Sequence, residues 1–405
     1  MSYKPLKIVK FQNKGNNDEE YLKRFEGFGT IKTGLYPYLN KRGELKSKEF
    51  ELFSVPIQEI QLLTQQIVEN SNLIKELAEL LPDVAKNQFY NEQLYKAVIS
   101  TDEIEGIKTT RKEVSLAHKS LVSKTKEQVR LLSTVRMYND IQENAFLKID
   151  SLQTIREIYD QLTEGEIDSE DILDGELFRD GPVSIVDFSS NKIDHTPPAS
   201  EKQIYLMLTA WINFINDRTI PFLIKAMLAH YFFENVHPFY DGNGRTGRYI
   251  LSRYLARKLD IFSGLVISQK INEEKSKYYK SFKITGDFYN RAEGTFFVQT
   301  LLEILHQGQL DIINILEEKR AILLEYSKKL AKSDYNELQR RILFLLLQSG
   351  VFVDDINEGL TDNEIIELLS RDNPRYTIKR EIDNLEKIQA IKLIAQRPKK
   401  HVLVE

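Results

Sequence analysis

The sequence predicts a mainly α protein. Apolar residues recur at three- and four-residue steps from Ile57 to about Leu162, the same spacing resumes at Glu201 and runs to Leu259, and Gly and Pro breakers are few within both stretches. A chain of 405 residues that is 41% hydrophobic is long enough for two or three domains with sizeable cores.

The first 56 residues, rich in Gly, Asn, Lys and Tyr, read as an extended N-terminal segment lying over a neighbouring domain. Residues 57–165 read as a helical region, with Ile60, Leu63 and Ile67 followed by Leu73, Leu77, Leu80 and Leu81. The texture changes between Phe178 and Pro198. There Val183, Ile185 and Phe188 are separated from Ile193 by the turn-forming Ser189-Ser190-Asn191-Lys192, which predicts a short hairpin. A lone hairpin is marginal in water, so it must lean on a neighbour.

Pro221 then opens a helix with Ile224, Met227, Leu228, Tyr231 and Phe232 on one face, ending at His237 before Pro238. Ile250, Leu251, Tyr254, Leu255 and Leu259 mark the next helix. Residues 166–310 therefore read as a core, and residues 311–335 as a linker helix. Residues 336–405 give helices at Glu337 to Gln348, Thr361 to Ser370 and Tyr376 to Lys387. Strands at Ile391 to Ile394 and His401 to Val404 follow, the order of a winged helix-turn-helix.

Composition narrows the chemistry. The 56 basic and 60 acidic residues leave a net charge of −4, which names no partner, and the lack of cysteine excludes disulfides, thiolate metal sites and cysteine nucleophiles. No apolar run approaches the roughly 20 residues of a membrane helix, and the N-terminus has no signal-peptide core. These features predict a cytoplasmic protein with no membrane partner.

The chemistry concentrates in HPFYDGNGRTGR, residues 237–248, between two helices. Gly242, Gly244 and Gly247 allow close backbone approach, and the following helix offers unpaired N–H groups and the positive end of its dipole, which makes an anion cradle. Arg245 and Arg248, three apart in the first turn, read as projecting to nearly the same side, suited to two phosphates. Asp241 is a hard oxygen ligand for magnesium, and His237 a general base. A zinc hydrolase is an alternative, since His230, Glu234 and His237 share a helical face. The sequence is not HExxH, however, and His230 sits in an apolar stretch that suits a core histidine. No Walker phosphate loop and no kinase signature is present.

These residues resemble the Fic (filamentation induced by cAMP) family. The family motif HPF-x-D/E-GNGR-xx-R is matched at every defined position by His237, Pro238, Phe239, Asp241, Gly242, Asn243, Gly244, Arg245 and Arg248. The stretch from Arg179 to Pro198 is similar to the family's flap hairpin, and Ser268 with Tyr278-Tyr279 resembles a further downstream pattern. The resemblance covers most of residues 57–310.

It implies a Fic-type helical bundle and a protein adenylyltransferase moving AMP from ATP, with magnesium, to a Tyr, Thr or Ser hydroxyl of a target protein, the chain itself included. His237 is then the base, Asp241 the metal ligand and Phe239 the loop anchor. Gly242, Asn243, Gly244, Arg245, Thr246, Gly247 and Arg248 form the nucleotide site, with Asn243 and the loop amides on the α-phosphate. Val183, Ser184 and Ile185 are the flap that positions the target segment.

Thr101-Asp102-Glu103-Ile104-Glu105-Gly106 resembles the family's inhibitory helix, S/T-xxx-E-G/N. Thr101 and Glu105 share a helical face, from which Glu105 can pair with Arg248 and withhold it from the γ-phosphate. Where many members carry Asn-Arg before the paired tyrosines, this chain has Glu274-Lys275, which leaves Glu274 to meet the base and base preference open. Relatives also transfer other groups or remove AMP, so another donor and the reverse reaction stay as alternatives, and a homodimer is an expectation from relatives.

In the C-terminal segment, Arg375, Lys379, Arg380 and Lys387 with Arg397, Lys399 and Lys400 suit DNA phosphates. From Tyr335 onward eleven basic residues meet twelve acidic ones, which favours a protein-binding or dimerising role. A DNA-binding regulator with a nucleotide-sensing domain is the non-enzyme alternative.

Overall fold

In a computed structural model of the chain, residues 3–13, 15–41, 44–46, 49–123, 129–142, 148–186, 193–353 and 359–404 are described. Helices dominate them, with four small sheets. The chain forms two units, Met1–Asn72 with Leu94–Gln309, and Leu73–Gln93 with Leu310–Glu405. No described helix is long and apolar enough to cross a membrane.

The first unit is built round the helix Phe222–Val236, FLIKAMLAHYFFENV, which is buried on nearly every side, as expected of a helix that is apolar all round. Trp211, on the helix Glu201–Asn216, packs on it and donates from Nε1 to the Ala229 carbonyl at 2.8 Å, so burying the indole leaves no orphan donor. The helices Asn243–Lys258 and Ile261–Glu273 complete this layer. Their close approach depends on Gly264, where a Cβ would lie 2.5 Å from the Ala256 Cβ and from the Ser252 carbonyl. The Asp260 side chain accepts from the Ser263 N–H at 2.9 Å and fixes where the second of these helices starts.

Three sequence expectations are corrected. The segment 1–56 is not simply extended: it carries the helices Leu6–Gln12 and Asp18–Phe25. Three acids in the first turn of the second favour its dipole, Leu6 is fully buried, and Arg24 is held by Glu20 and Glu293. Residues 57–165 are not one region, since 73–93 belong to the second unit. Residues 311–335 are not a separate linker helix. The helix Thr295–Ala331 is continuous because its sequence contains no proline to stop it.

The second unit has the order helix Glu337–Gly350, strand Leu360–Thr361, helices Asp362–Leu369 and Arg375–Lys387, then strands Ile391–Gln396 and Lys399–Leu403. The last strand lies between the other two. This is the element order predicted for a winged helix-turn-helix, with one short strand that two residues were too few to reveal. Capping boxes at Asn336 and Thr361 set two of the helix starts.

Gly264→Val is expected to lower the stability of the folded chain by about 1–3 kcal/mol through overpacking. Denaturant midpoints at unchanged m-value check this, and an unchanged midpoint would show that the two helices can part without cost.

Candidate active site

His237 is the cap of the helix Phe222–Val236 and adopts a left-handed backbone, φ 49° and ψ 65°. The following proline disfavours a helical conformation there. Such a backbone persists only where its surroundings enforce it, and Arg179 does so. Its N–H donates to the Pro238 carbonyl at 3.1 Å, its Nε to the His237 carbonyl at 2.9 Å and its Nη1 to the Gly181 carbonyl at 2.5 Å. Burial pulls the Arg179 guanidinium down to about 10. His195, on the second flap strand, donates from Nε2 to the Asn235 carbonyl at 2.8 Å, and the Asn235 side chain is bonded to both backbone groups of Tyr38. The hairpin and the N-terminal segment thus fasten the end of the helix that presents His237. Burial, reinforced by His195 and Arg179, pulls the His237 imidazole down to about 3, so it is neutral at pH 7 and ready to accept a proton.

The loop closes on itself. The Asn243 side chain accepts from the Phe239 N–H at 2.8 Å and donates to the Phe239 carbonyl at 2.7 Å. The expected Asn243 contact to phosphate is therefore replaced by a staple across the turn. Thr246 likewise turns back, its hydroxyl donating to the Gly242 carbonyl at 2.9 Å. Phe239 is fully buried and stacks on Tyr159 with ring centroids 3.8 Å apart. Gly242 is left-handed at φ 78°, and a Cβ there would meet Thr163 and Tyr159.

The two arginines do not share one side. Arg245 is buried and paired with Glu166, with Asp241 at 3.4 Å. Arg248 is buried and directed to the end of the helix Asp83–Ile104. It donates from Nε to the Thr101 hydroxyl at 2.9 Å, and from Nη2 to the Thr101 carbonyl at 3.0 Å and to Glu105 at 2.6 Å. Burial opposes the charge of Arg248, and Glu105 beside it more than offsets that, so its basicity rises. The Glu105 carboxylate also stands over the loop glycine: a Cβ on Gly244 would lie 2.2 Å from its Oε1. An anion of the protein itself occupies the mouth of the cradle.

Residues 148–255 match the family model described as the Fic/DOC family. The chain carries a Fic domain. Curated relatives include protein adenylyltransferase Fic of Drosophila melanogaster, 31% identical over 111 residues, which are 26% of this chain and 22% of that protein. The protein of the same name from Drosophila erecta is 32% identical over 26% of this chain and 21% of its own length. The chain thus spans about a fifth of the curated relatives it matches. A crystal structure of a Fic family protein from Desulfovibrio desulfuricans G20 has the same fold, with a TM-score of 0.52 and 17% identity over 86% of this chain and 96% of that one.

Glu166 and Asn272 escaped the sequence reading, and Glu234, Glu274 and Lys275 stand otherwise than it expected. Glu166 lies in a loop without periodicity and only the fold brings it to Arg245. Lys275 donates to the Glu103 carbonyl at 2.7 Å, and Asn272 donates to the Glu103 carboxylate at 2.7 Å, so both latch the end of the Thr101–Glu105 segment. Glu274 is exposed between two helices. Glu234 lies against Gly247, and burial pushes its carboxyl up to about 8 although Arg248 pulls the other way. It is therefore protonated at neutral pH, which leaves Glu105 as the anion that matches Arg248. Gly247 accordingly faces the central helix and not the cradle.

In the flap, Ile185 pairs with His195, while Val183 and Ser184 precede the strand, and Ser189-Ser190-Asn191-Lys192 and Phe188 lie outside the described residues. The zinc alternative fails on geometry. His230 Nε2 is bonded to the Tyr278 hydroxyl at 2.7 Å, and among the described residues no three His, Cys, Asp or Glu side chains converge.

Two outcomes follow from this geometry. The double variant Asn272→Ala/Lys275→Ala should speed amide exchange at Glu105 to Ile107 while distant helices keep their protection; unchanged exchange there would remove the latch. Burial holds His230 at about 3 and His195 at about 4, below their ordinary 6.5. The unfolded chain therefore binds more protons below that pH, and stability present above about 6.5 is lost as pH falls toward 4. A melting temperature that stays flat from pH 6.5 to 4.5 would contradict this.

Proposed function

We propose that the protein is an adenylyltransferase that moves AMP from ATP to a hydroxyl-bearing side chain of a target protein and is held in check by Glu105. The observation that carries the reading is the neutral His237 fixed beside a glycine loop and helix N-terminus whose cradle is filled by an internal carboxylate paired with Arg248. The shared name of the curated relatives supports the same reaction class.

In this reading His237 takes the proton of the target hydroxyl as its oxygen bonds to the α-phosphorus. The bond from that phosphorus to the bridging oxygen breaks, and pyrophosphate leaves. The loop N–H groups and helix dipole stabilise the charge that develops on the phosphates. Asp241 fits a hard cation: about half of its side chain is exposed, and its contact to Arg245 is long. Magnesium needs one or two carboxylates, with phosphates and waters as its remaining ligands, and when bound it neutralises phosphate charge. Ile185 and the residues before it offer backbone groups to an extended target segment.

Inhibition follows from competition for one guanidinium. While Glu105 and Thr101 hold Arg248, a terminal phosphate lacks its partner. Breaking such a pair by itself leaves a buried charge, so the phosphate that replaces Glu105 must arrive as the segment moves.

Glu105→Gly is expected to raise incorporation of labelled AMP by about 5- to 150-fold, the span of typical coupling energies. Adding His237→Ala should lower the rate by about 10²–10⁴ with ATP binding retained. Equal rates for Glu105→Gly and wild type would sink the inhibitory role, and a persistent rate in the double variant would sink the base assignment. Mass spectrometry of the transferred group distinguishes AMP from another donor fragment.

A further inference from the structure

A cavity of about 680 Å³ lies in the first unit along residues 249–258 of the Asn243–Lys258 helix, beyond the first turn that carries the Fic loop. At 1.5 Å per residue, Arg257 stands about 18 Å along the axis from Arg245. Among the described residues, six cations line the cavity, Lys148, Arg218, Lys225, Arg253, Arg257 and Lys258, against one acid, Asp140. Trp211, Tyr249, Tyr254 and several isoleucines supply an apolar wall. A volume of several hundred Å³ with an apolar wall and a few convergent charges is the usual form of a small-molecule site.

Helix electrostatics explains only part of this charge. Arg257 and Lys258 close a helix whose dipole favours cations at that end. Lys225, only 6% exposed, lies near the N-terminus of the Phe222–Val236 helix, where a cation is disfavoured, and is held there by the C-terminal end of the helix Glu201–Asn216, whose cap is Asp217. Its ammonium donates to the Asp217 carbonyl at 2.5 Å, while burial and the nearby Lys258 both weaken its hold on the proton. The Tyr254 hydroxyl on the same wall is buried without a hydrogen-bond partner. A buried hydroxyl beside a cation-lined cavity costs stability unless an acceptor completes it, and a phosphate oxygen is such an acceptor.

We propose that this cavity binds a nucleotide-sized organic phosphate, with Lys225, Arg253, Arg257 and Lys258 on its phosphates and the Trp211–Tyr254 wall against its apolar body. The site is separate from the Fic loop and does not depend on the transfer reaction proposed for it. A ligand here bridges the helix that ends at His237 and the helix that begins at Asn243, so occupancy bears on the two elements that hold the loop.

Trp211 is the only tryptophan of the chain, so its emission reports on this wall. Titration of the full chain with ADP should change that emission and saturate below about 1 mM, the range of a weak specific site. Adenosine should leave it unchanged, and pyrophosphate should require a higher concentration than ADP. Reversing two exposed cations in Arg257→Glu/Lys258→Glu should shift the ADP midpoint at least about tenfold, with circular dichroism unchanged. The proposal is overturned by no emission change with ADP, or by the same midpoint in the double variant, which would trace the signal to the Fic loop. Pyrophosphate binding as tightly as ADP overturns the assignment to an organic phosphate.

Discussion

The buried guanidinium of Arg248 constrains the site more than any other group. A charge taken out of water needs an anion or several acceptors beside it at all times, and here Thr101 supplies two oxygens and Glu105 a carboxylate. That need orders the surroundings. It draws the end of the helix Asp83–Ile104 onto the first turn of the helix Asn243–Lys258 and places the Glu105 carboxylate over Gly244. Glu234, against Gly247, holds its proton chiefly because it is buried, and the charge of Glu105 nearby adds to that although Arg248 opposes it.

The loop itself is rigid for reasons unrelated to phosphate. Asn243, Thr246 and Phe239 all spend their side chains on the turn. Arg179, His195 and Asn235 fasten the strained backbone at His237 from three separate segments. A loop built this way takes its shape from its own hydrogen bonds and packing. The Thr101–Glu105 segment is fixed differently: its contacts to Asn272 and Lys275 are exposed polar ones.

Much of the fold was legible in the sequence, because amphipathic spacing, capping residues and the change of texture at the hairpin are local. The helix that presents His237 and the one that follows the loop stand where periodicity put them. The N-terminal helices Leu6–Gln12 and Asp18–Phe25 did not show, since each is two turns or so long, too short for a period to register, and is stabilised by partners nearly 300 residues away such as Glu293 and Asn290. Roles within the loop were legible by type but not by direction. Asn243 and Thr246 have the right chemistry for phosphate, yet the turn's own unpaired backbone groups claim them first.

By itself the sequence determined where the motif lies: that it falls between two helices, that His237 ends the first of them, and that Thr101 and Glu105 share a face, since all of these follow from spacing along one chain. Tertiary structure alone decided which charges meet. Glu105 and Arg248 are 143 residues apart, Glu166 reaches Arg245 from an aperiodic loop, and Lys275 donates to the Glu103 carbonyl from 172 residues away. The physical reason is that local periodicity fixes the face a side chain occupies, whereas the partner on that face is set by how whole helices dock, and docking is governed by the packing of cores such as the one around Phe222–Val236.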